Sequence, residues 1–220
     1  AQIVMSNFLV YLRFLSRHLV LTCFNVVGLS IGLATCLAIV VYVFSELNVD
    51  KYHANIDRIF LVTTTWTSKE SVDHLATAPI ALAPELKAQY PEVQEVVRLK
   101  ALSNPTVRSK DYAYKEPSIF EADPEVFEVF SYSMLSGDPI TALREPNSIV
   151  LTKTLAIKYF GEQDPIDELL LINNDEYRVT GVVEDVPDNS DLKFSALITL
   201  NTDLQDDWFE VRIWYEDFVE

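Results

Sequence analysis

The stretch Leu19–Ser45, LVLTCFNVVGLSIGLATCLAIVVYVFS, decides how this 220-residue chain is organised. Its 27 residues include no Asp, Glu, Lys, Arg or His. As an α-helix it would be about 40 Å long, whereas the hydrocarbon core of a bilayer is about 30 Å thick. A core helix of a soluble protein is seldom uncharged over such a length, and the apolar run of a signal peptide has only about 7–15 residues. The stretch therefore predicts a transmembrane helix over residues 19–46.

The charges on either side of this helix predict its orientation. Arg13 and Arg17 precede it, whereas Glu46 and Asp50 follow it. Because positive residues remain on the cytoplasmic side, we expect residues 1–18 to form a cytoplasmic or interfacial amphipathic segment. Residues 48–220 hold 15 of the 17 Lys and Arg and 32 of the 33 Asp and Glu, a net charge of −17. We therefore expect residues 47–220 to form an acidic domain outside the membrane.

The predicted helix carries small residues at a regular spacing. Gly28, Gly32 and Cys36 recur every four residues, and the polar Asn25 lies one turn before them. Small residues at this spacing let a second helix approach closely in lipid, and a polar side chain there favours a protein neighbour over lipid. We expect Asn25, Gly28, Gly32 and Cys36 to form a helix-packing face. The alternative is that the spacing arises by chance, because Gly and Ala are common in membrane helices.

Downstream of the membrane helix the sequence predicts an α+β domain, because strand-like and helix-like segments interleave irregularly. The predicted helices cover residues 46–58, 78–90, 125–130 and 153–160, and the predicted strands cover 59–66, 92–102, 148–152, 168–172, 176–184 and 192–200, with short strands between 106 and 122. Asp123 before Pro124 is typical of a helix N-cap. Residues 203–220 support no assignment.

Asp50, His53 and Asp57 would share one face of the predicted helix over residues 46–58. Such a trio resembles part of a metal site, but the sequence supplies neither a Cys nor a second His nearby to complete it. A solvated helix face is the favoured interpretation, and we expect no metal.

The sequence offers no recognisable catalytic or nucleic-acid-binding chemistry. Both cysteines, Cys23 and Cys36, lie in the membrane helix, and the five glycines form no phosphate-binding loop. The sequence pI near 4.5 opposes nucleic-acid binding. We expect no catalytic residue, no cofactor and no enzymatic activity in this chain.

Several segments, in order, resemble the FtsX-like and MacB-like permeases of ABC transporters. They are Phe24–Ala34, Phe44–His53, Asp57–Phe60, Ala83–Leu86, Tyr90–Val93, Leu135–Pro139, Glu145–Thr152, Ala156–Gly161, Asp164–Ile166 and Val179–Pro187. One departure stands at Asp167-Glu168, where the family usually has Gly-Lys. Because Gly there serves a positive-φ turn, the departure predicts a different local loop.

The resemblance implies a fold and a set of partners. It implies a periplasmic core with a Porter-like βαβ part near residues 55–100, returning near 192–200, and a Sabre-like β-rich part between them. It also implies a location in the bacterial cytoplasmic (inner) membrane with membrane lipid around the helix. The implied partners are a cytoplasmic ABC ATPase subunit, a second permease chain in a homo- or heterodimer, and a periplasmic adaptor protein as a further candidate.

The resemblance also implies a function. In the MacB/FtsX mechanotransmission type, ATP-driven motion inside is relayed to the periplasmic domain for efflux or export-like work. Three more membrane helices would follow Glu220, so we expect the chain to be an N-terminal portion. The alternative function is a single-pass membrane sensor or adhesion protein with a ligand-binding extracytoplasmic domain.

Overall fold

A computed structural model describes residues 17–68, 71–109 and 112–200, and the backbone of residues 208–215. The chain divides between Val49 and Asp50 into a helical unit and a sheet unit. The helical unit contains α1, Leu19–Glu46, which occupies the range that the sequence predicts. Within the described residues it is the one helix long and apolar enough to cross a membrane. At its end the Asn48 side-chain amide donates to the Phe44 carbonyl at 2.8 Å, which satisfies one of the terminal carbonyls.

The prediction that the helix continues through residues 46–58 is wrong. The chain turns after Glu46, and within residues 47–58 the only helical piece is the 3₁₀ helix Ile56–Arg58. Asp50 has a φ of 55°, in the left-handed region, and a right-handed helix cannot pass through such a residue. The predicted solvated face is also wrong, because His53 is only 3% exposed.

The sheet unit contains fourteen described strands. They are β1 Ile59–Val62, β2 Thr64–Thr67, β3 Val72–Leu75, β4 Ala78–Pro79, β5 Val93–Ala101, β6 Thr106–Arg108, β7 Ala113–Lys115, β8 Ile119–Ala122, β9 Met134–Gly137, β10 Ser148–Thr152, β11 Leu169–Ile172, β12 Asp175–Val183, β13 Ala196–Thr199 and β14 Trp208–Tyr215. Twelve of them form one mixed sheet, and β2 pairs only with β3 in a separate hairpin.

The order of the large sheet is β1-β14-β5-β8-β13-β10-β12-β11-β6-β7, with β4 against β14 and β9 against β12. Two pairs are parallel, β10 with β12 and β8 with β13, and the others are antiparallel. The strand that returns between β1 and β5 is β14, with Trp214 opposite Ile59 and Arg212 opposite Val97. The expected return near 192–200 instead forms β13, which pairs with β8 and β10.

Three helices of the sheet unit lie within the predicted ranges: α2 Leu82–Gln89, α3 Val126–Val129 and α4 Lys153–Phe160. The front of the second predicted helix, residues 78–79, is strand β4 instead, so α2 begins later than predicted. Helix α4 has clear end signals. The Thr152 hydroxyl accepts from the Leu155 N–H at 3.4 Å, and Gly161 follows the last turn with a φ of 64°.

The core lies on both faces of the central strands. All five residues of β10 are buried. Because alternate side chains of a strand point to opposite faces, Ile149 and Leu151 pack with the cluster that contains Leu155 of α4. Val150 packs on the other face, with the cluster that contains Val97. A strand buried on both faces reads as a continuous apolar run, as Ile149–Leu151 does.

Candidate functional site

The predicted helix-packing residues all lie on α1. Asn25, Gly28, Gly32 and Cys36 follow one another at intervals of three or four residues, so the helix places them along one stripe of its surface. All four are exposed. A Cβ atom added to Gly28 or Gly32 would meet no described atom within 4 Å other than the adjacent backbone of the helix itself, so the stripe leaves room for a neighbouring helix. Their role as a packing face stays a prediction.

A second candidate site begins at Asp50, the first residue of the sheet unit. Its N–H donates to the Asn189 carbonyl at 3.2 Å. Its carboxylate oxygen Oδ1 accepts from the Ser190 hydroxyl at 2.7 Å and from the Asp191 N–H at 3.0 Å. These bonds join residues about 140 positions apart and hold the segment after α1 against the loop between β12 and β13.

The next two side chains extend this contact. The Tyr52 hydroxyl lies 3.0 Å from the buried Ser190 hydroxyl. The His53 ring accepts at Nδ1 from the Ser131 N–H at 3.1 Å, and the Ala54 N–H donates to the Ser131 hydroxyl at 3.1 Å. A ring that accepts at Nδ1 is neutral and carries its proton on Nε2. The pair of bonds fastens residues 53–54 to the loop between α3 and β9.

Aromatic rings close around His53. Its ring centroid lies 3.9 Å from that of Tyr52, 5.2 Å from that of Phe130 and 5.0 Å from that of Tyr132. The last two contacts are edge-to-face, a favourable geometry for aromatic pairs. Tyr132 in turn makes an edge-to-face contact with Phe194 at 4.9 Å, which links the rings to the core.

Burial determines the protonation states of His53 and Tyr52. Burial lowers the pKa of His53 to about 4, and the negative charge of Asp50 opposes this shift only in part. Burial also raises the pKa of the Tyr52 hydroxyl above its ordinary value. At neutral pH the imidazole is therefore uncharged and available as an acceptor, and the phenol keeps its proton.

We call Asp50, Tyr52, His53, Ser131, Tyr132 and Ser190 the junction cluster. It brings together three segments that are remote in sequence: the stretch that follows α1, the loop after α3 and the loop after β12. The sequence indicates Asp50 and His53 as notable residues but assigns them to the wrong structure. It gives no sign that Ser131, Tyr132 or Ser190 face them, because hydrogen bonds over such separations leave no periodic pattern.

A second polar group explains why the predicted N-cap is wrong. The Asp123 carboxylate does not cap α3, whose N-cap is Glu125 without a side-chain bond. It accepts instead from Nε, Nη2 and the backbone N–H of Arg98, at 2.8, 2.7 and 2.8 Å. The hydrogen bonds raise the pKa of the Arg98 guanidinium further. A bidentate, charge-assisted bond to the half-buried guanidinium is stronger than a bond to one backbone N–H at a helix end, which explains why the carboxylate pairs with Arg98.

Comparisons with known proteins identify the sheet unit. The family model for the MacB-like periplasmic core domain matches residues 22–216. A domain described as part of a permease protein from Porphyromonas gingivalis aligns with a TM-score of 0.67 and 20% identity, covering 76% of this chain and 77% of that one. No curated protein matches the sequence closely.

Two further solved structures share the fold. The periplasmic region of MacB from Actinobacillus actinomycetemcomitans aligns with a TM-score of 0.52 and 16% identity, over 64% of this chain and 66% of that one. The extracellular domain of the noncanonic ABC-type transporter YknZ from Gram-positive bacteria aligns with a TM-score of 0.55 and 16% identity, over 72% and 84%. These likenesses confirm the mixed α/β fold of the MacB type for the sheet unit, and the apolar helix α1 precedes it in this chain.

Proposed function

The chain belongs to the family of MacB-like periplasmic core domains, and from this premise we propose that it supplies the first membrane helix and the extracytoplasmic domain of an ABC transporter permease. The proposed working mode is mechanotransmission in efflux or export-like work. ATP hydrolysis takes place on a cytoplasmic partner subunit, and this chain transmits motion without catalysing a reaction. The family match over residues 22–216 is the observation that carries the proposal.

We place the protein in the bacterial inner membrane, with α1 crossing the bilayer and the sheet unit in the periplasm. The support is the length of α1 and the distribution of charge, with Arg13 and Arg17 before the helix and a net charge of −17 after residue 47. A topology experiment tests this placement. In a chain without native cysteines, a thiol reagent that cannot cross membranes should label Glu176→Cys and spare Ser6→Cys in intact cells.

The stripe of Asn25, Gly28, Gly32 and Cys36 is the proposed contact with a second permease chain or with further membrane helices. Close approach of backbones replaces the hydrophobic effect as the driving force in lipid. The support is the spacing of Gly28, Gly32 and Cys36, which the helix places on one stripe of its surface. An ATPase subunit on the cytoplasmic side, an adaptor on the periplasmic side and the surrounding lipid complete the proposed set of partners.

The junction cluster is the proposed point at which motion of α1 reaches the domain. Asp50 lies four residues after the helix, and its carboxylate, together with Tyr52 and His53, binds two loops of the sheet unit. A displacement of this segment would therefore act on both loops at once. If the segment after α1 were an unanchored, flexible tether, it would bend, and the displacement of α1 would not reach the two loops.

Purification and distance measurement together test the function. The full-length protein, extracted in detergent, should bring an ABC ATPase with it. Glu176 is an exposed site on β12, and a spin label at Glu176→Cys would stand on the extracytoplasmic domain of each of two permease chains in the assembled complex. The distance between the two labels should change when a non-hydrolysable ATP analogue is added. Recovery of no ATPase, or a distance that ignores the nucleotide, would refute the transporter assignment.

A matched pair of variants separates coupling from assembly. Asp50→Ala removes two hydrogen bonds at the junction cluster, and Asp185→Ala removes two bonds to Thr154, at 2.9 and 2.7 Å, at the start of the same β12–β13 loop but without touching residues 50–54. We expect Asp50→Ala to diminish the nucleotide-dependent distance change while the ATPase still copurifies. Asp185→Ala should leave the change intact. Equal responses of the two variants would exclude the junction cluster as the coupling point.

A further inference from the structure

His53 makes a hydrogen bond that only its neutral form can make. Nδ1 accepts from a backbone N–H, that of Ser131, and a backbone N–H has no alternative role as an acceptor. The ring is 3% exposed, so water cannot take the place of either partner without a local opening. The neighbouring bond from the Ala54 N–H to the Ser131 hydroxyl depends on the same two segments staying together.

We propose that the junction cluster is an acid-released latch, in which protonation of His53 at Nδ1 detaches residues 50–54 from the loop that carries Ser131. A proton on Nδ1 would point at the Ser131 N–H, so two donors would face each other 3.1 Å apart with no acceptor between them. The imidazolium would also lie buried against the rings of Phe130 and Tyr132. Opening the segment lets the cation reach water.

The charged and titratable groups around the ring do not hold the cation in place. On its own segment these are Asp50 and Tyr52, and among the described residues of the facing loop the titratable side chain in ring contact is Tyr132. The tyrosines are neutral in acid. The Asp50 carboxylate favours the protonated ring, but its Oδ1 is engaged by Ser190 and Asp191, and burial outweighs its attraction.

The sign and the size of the effect follow from the two states of the ring. In the latched state the pKa is about 4, and in the released state it returns to the ordinary value of 6.5. The latch is therefore fully stabilised above pH 6.5 and loses stability as the pH falls toward 4. The equilibrium constant for release rises about 20-fold between pH 7 and pH 5 by proton linkage. A His53→Asn variant keeps an acceptor oxygen near the position of Nδ1 but does not titrate in this range.

Amide hydrogen exchange of the full chain in detergent micelles tests the latch. After correction for the intrinsic pH dependence of exchange, protection at the amides of Ser131 and Ala54 should fall about 20-fold from pH 7 to pH 5. Protection at core amides of β10, such as Leu151, should stay constant. In His53→Asn the pH dependence at Ser131 and Ala54 should disappear. An equal loss of protection in the variant, or an equal loss across the core, would overturn the proposal.

A second measurement keeps the test decisive if His53→Asn folds poorly. Titration of the imidazole signals by NMR in the unmodified chain should show His53 with a pKa well below the ordinary value of 6.5. A His53 pKa of 6 or more would overturn the latch. The consequence that acid outside the membrane loosens coupling rests on the proposed function. Neither measurement involves transport or an ATPase, so a failure of the latch and a failure of the transporter assignment are distinguishable.

Discussion

Replacement of Asp50 measures how firmly the junction cluster holds the segment after α1. The carboxylate accepts two hydrogen bonds, from Ser190 and Asp191, and each bond to a charged acceptor contributes about 1.5–3 kcal/mol. Because Asp50 is half-buried, the lower value applies, and Asp50→Ala should lose about 3 kcal/mol from the two bonds. The backbone adds about 1 kcal/mol, since alanine tolerates a φ of 55° less well than aspartate does.

Three substitutions at this position separate the side-chain effect from the backbone effect. Asp50→Asn keeps a carbonyl acceptor and tolerates the left-handed conformation, so it should cost about 1 kcal/mol. Asp50→Gly loses both hydrogen bonds but relieves the backbone, so it should cost about 3 kcal/mol. Asp50→Ala suffers both losses and should cost about 4 kcal/mol. The predicted order of destabilisation is Asn, then Gly, then Ala.

Urea unfolding of the chain in detergent micelles, followed by far-ultraviolet circular dichroism, gives the free energies. For a chain of this length each kcal/mol lowers Tm by about 2–4 °C, so Asp50→Ala should melt roughly 8–16 °C lower. Asp185→Ala is the control, because it loses bonds of similar length to Thr154 at an exposed site of the same loop, leaves the bonds of residues 50–54 in place and should not change amide protection at Ala54. An unfolding free energy of Asp50→Ala within about 1 kcal/mol of that of the unmodified chain, or three indistinguishable variants, would contradict this prediction.

Three further substitutions test other parts of the molecule. Asp123→Ala should lower the unfolding free energy by about 3–5 kcal/mol in the same urea assay, because it leaves the half-buried guanidinium of Arg98 without its carboxylate. A decrease below about 1 kcal/mol would contradict this. Asp167 holds a φ of 65°, a backbone conformation that suits glycine better than aspartate. Asp167→Gly should therefore raise the unfolding free energy by about 0.5 kcal/mol in the same assay, and a lower unfolding free energy would contradict the proposed backbone strain. Gly32→Leu should reduce copurification of a second permease chain several-fold by blocking close helix approach, whereas Ile39→Leu should not; equal yields would show that the stripe is incidental.

The elements that could be predicted have local signals. Helix α1 has its uncharged run, and α4 has Thr152 and Gly161 at its ends. The β11–β12 hairpin has Asn173 and Asn174, which adopt φ values of 51° and 85° as a two-residue turn requires. In each case the residues that determine the element lie within it or directly beside it, so the sequence alone is sufficient.

Strand β14 and the junction cluster could not be predicted in the same way. The run Trp208–Tyr215 does alternate, with Phe209, Val211 and Ile213 separated by Glu210 and Arg212, and this signal could have indicated a strand. Its place between β1 and β5 depends on pairing with residues more than a hundred positions away. The residue type at position 167 was also a poor guide to the backbone. The turn keeps the positive φ that the family motif suggests, although Asp167 stands where the family usually has glycine.

The junction cluster also explains how a segment attached to the edge of the sheet could move its centre. The covalent path from Asp50 runs through the 3₁₀ helix to β1, which is an edge strand. The hydrogen-bonded path runs through Ser190 and Ser131 to the loops that flank β12, β13 and β9, in the middle of the sheet. A strand at the edge can bend with little effect on the centre of the sheet, but β12 pairs with β9, β10 and β11.

Motion delivered by the hydrogen-bonded path must therefore move these strands together. A coupling function would then depend on the side chains of residues 50–54 more than on the continuity of the chain into β1.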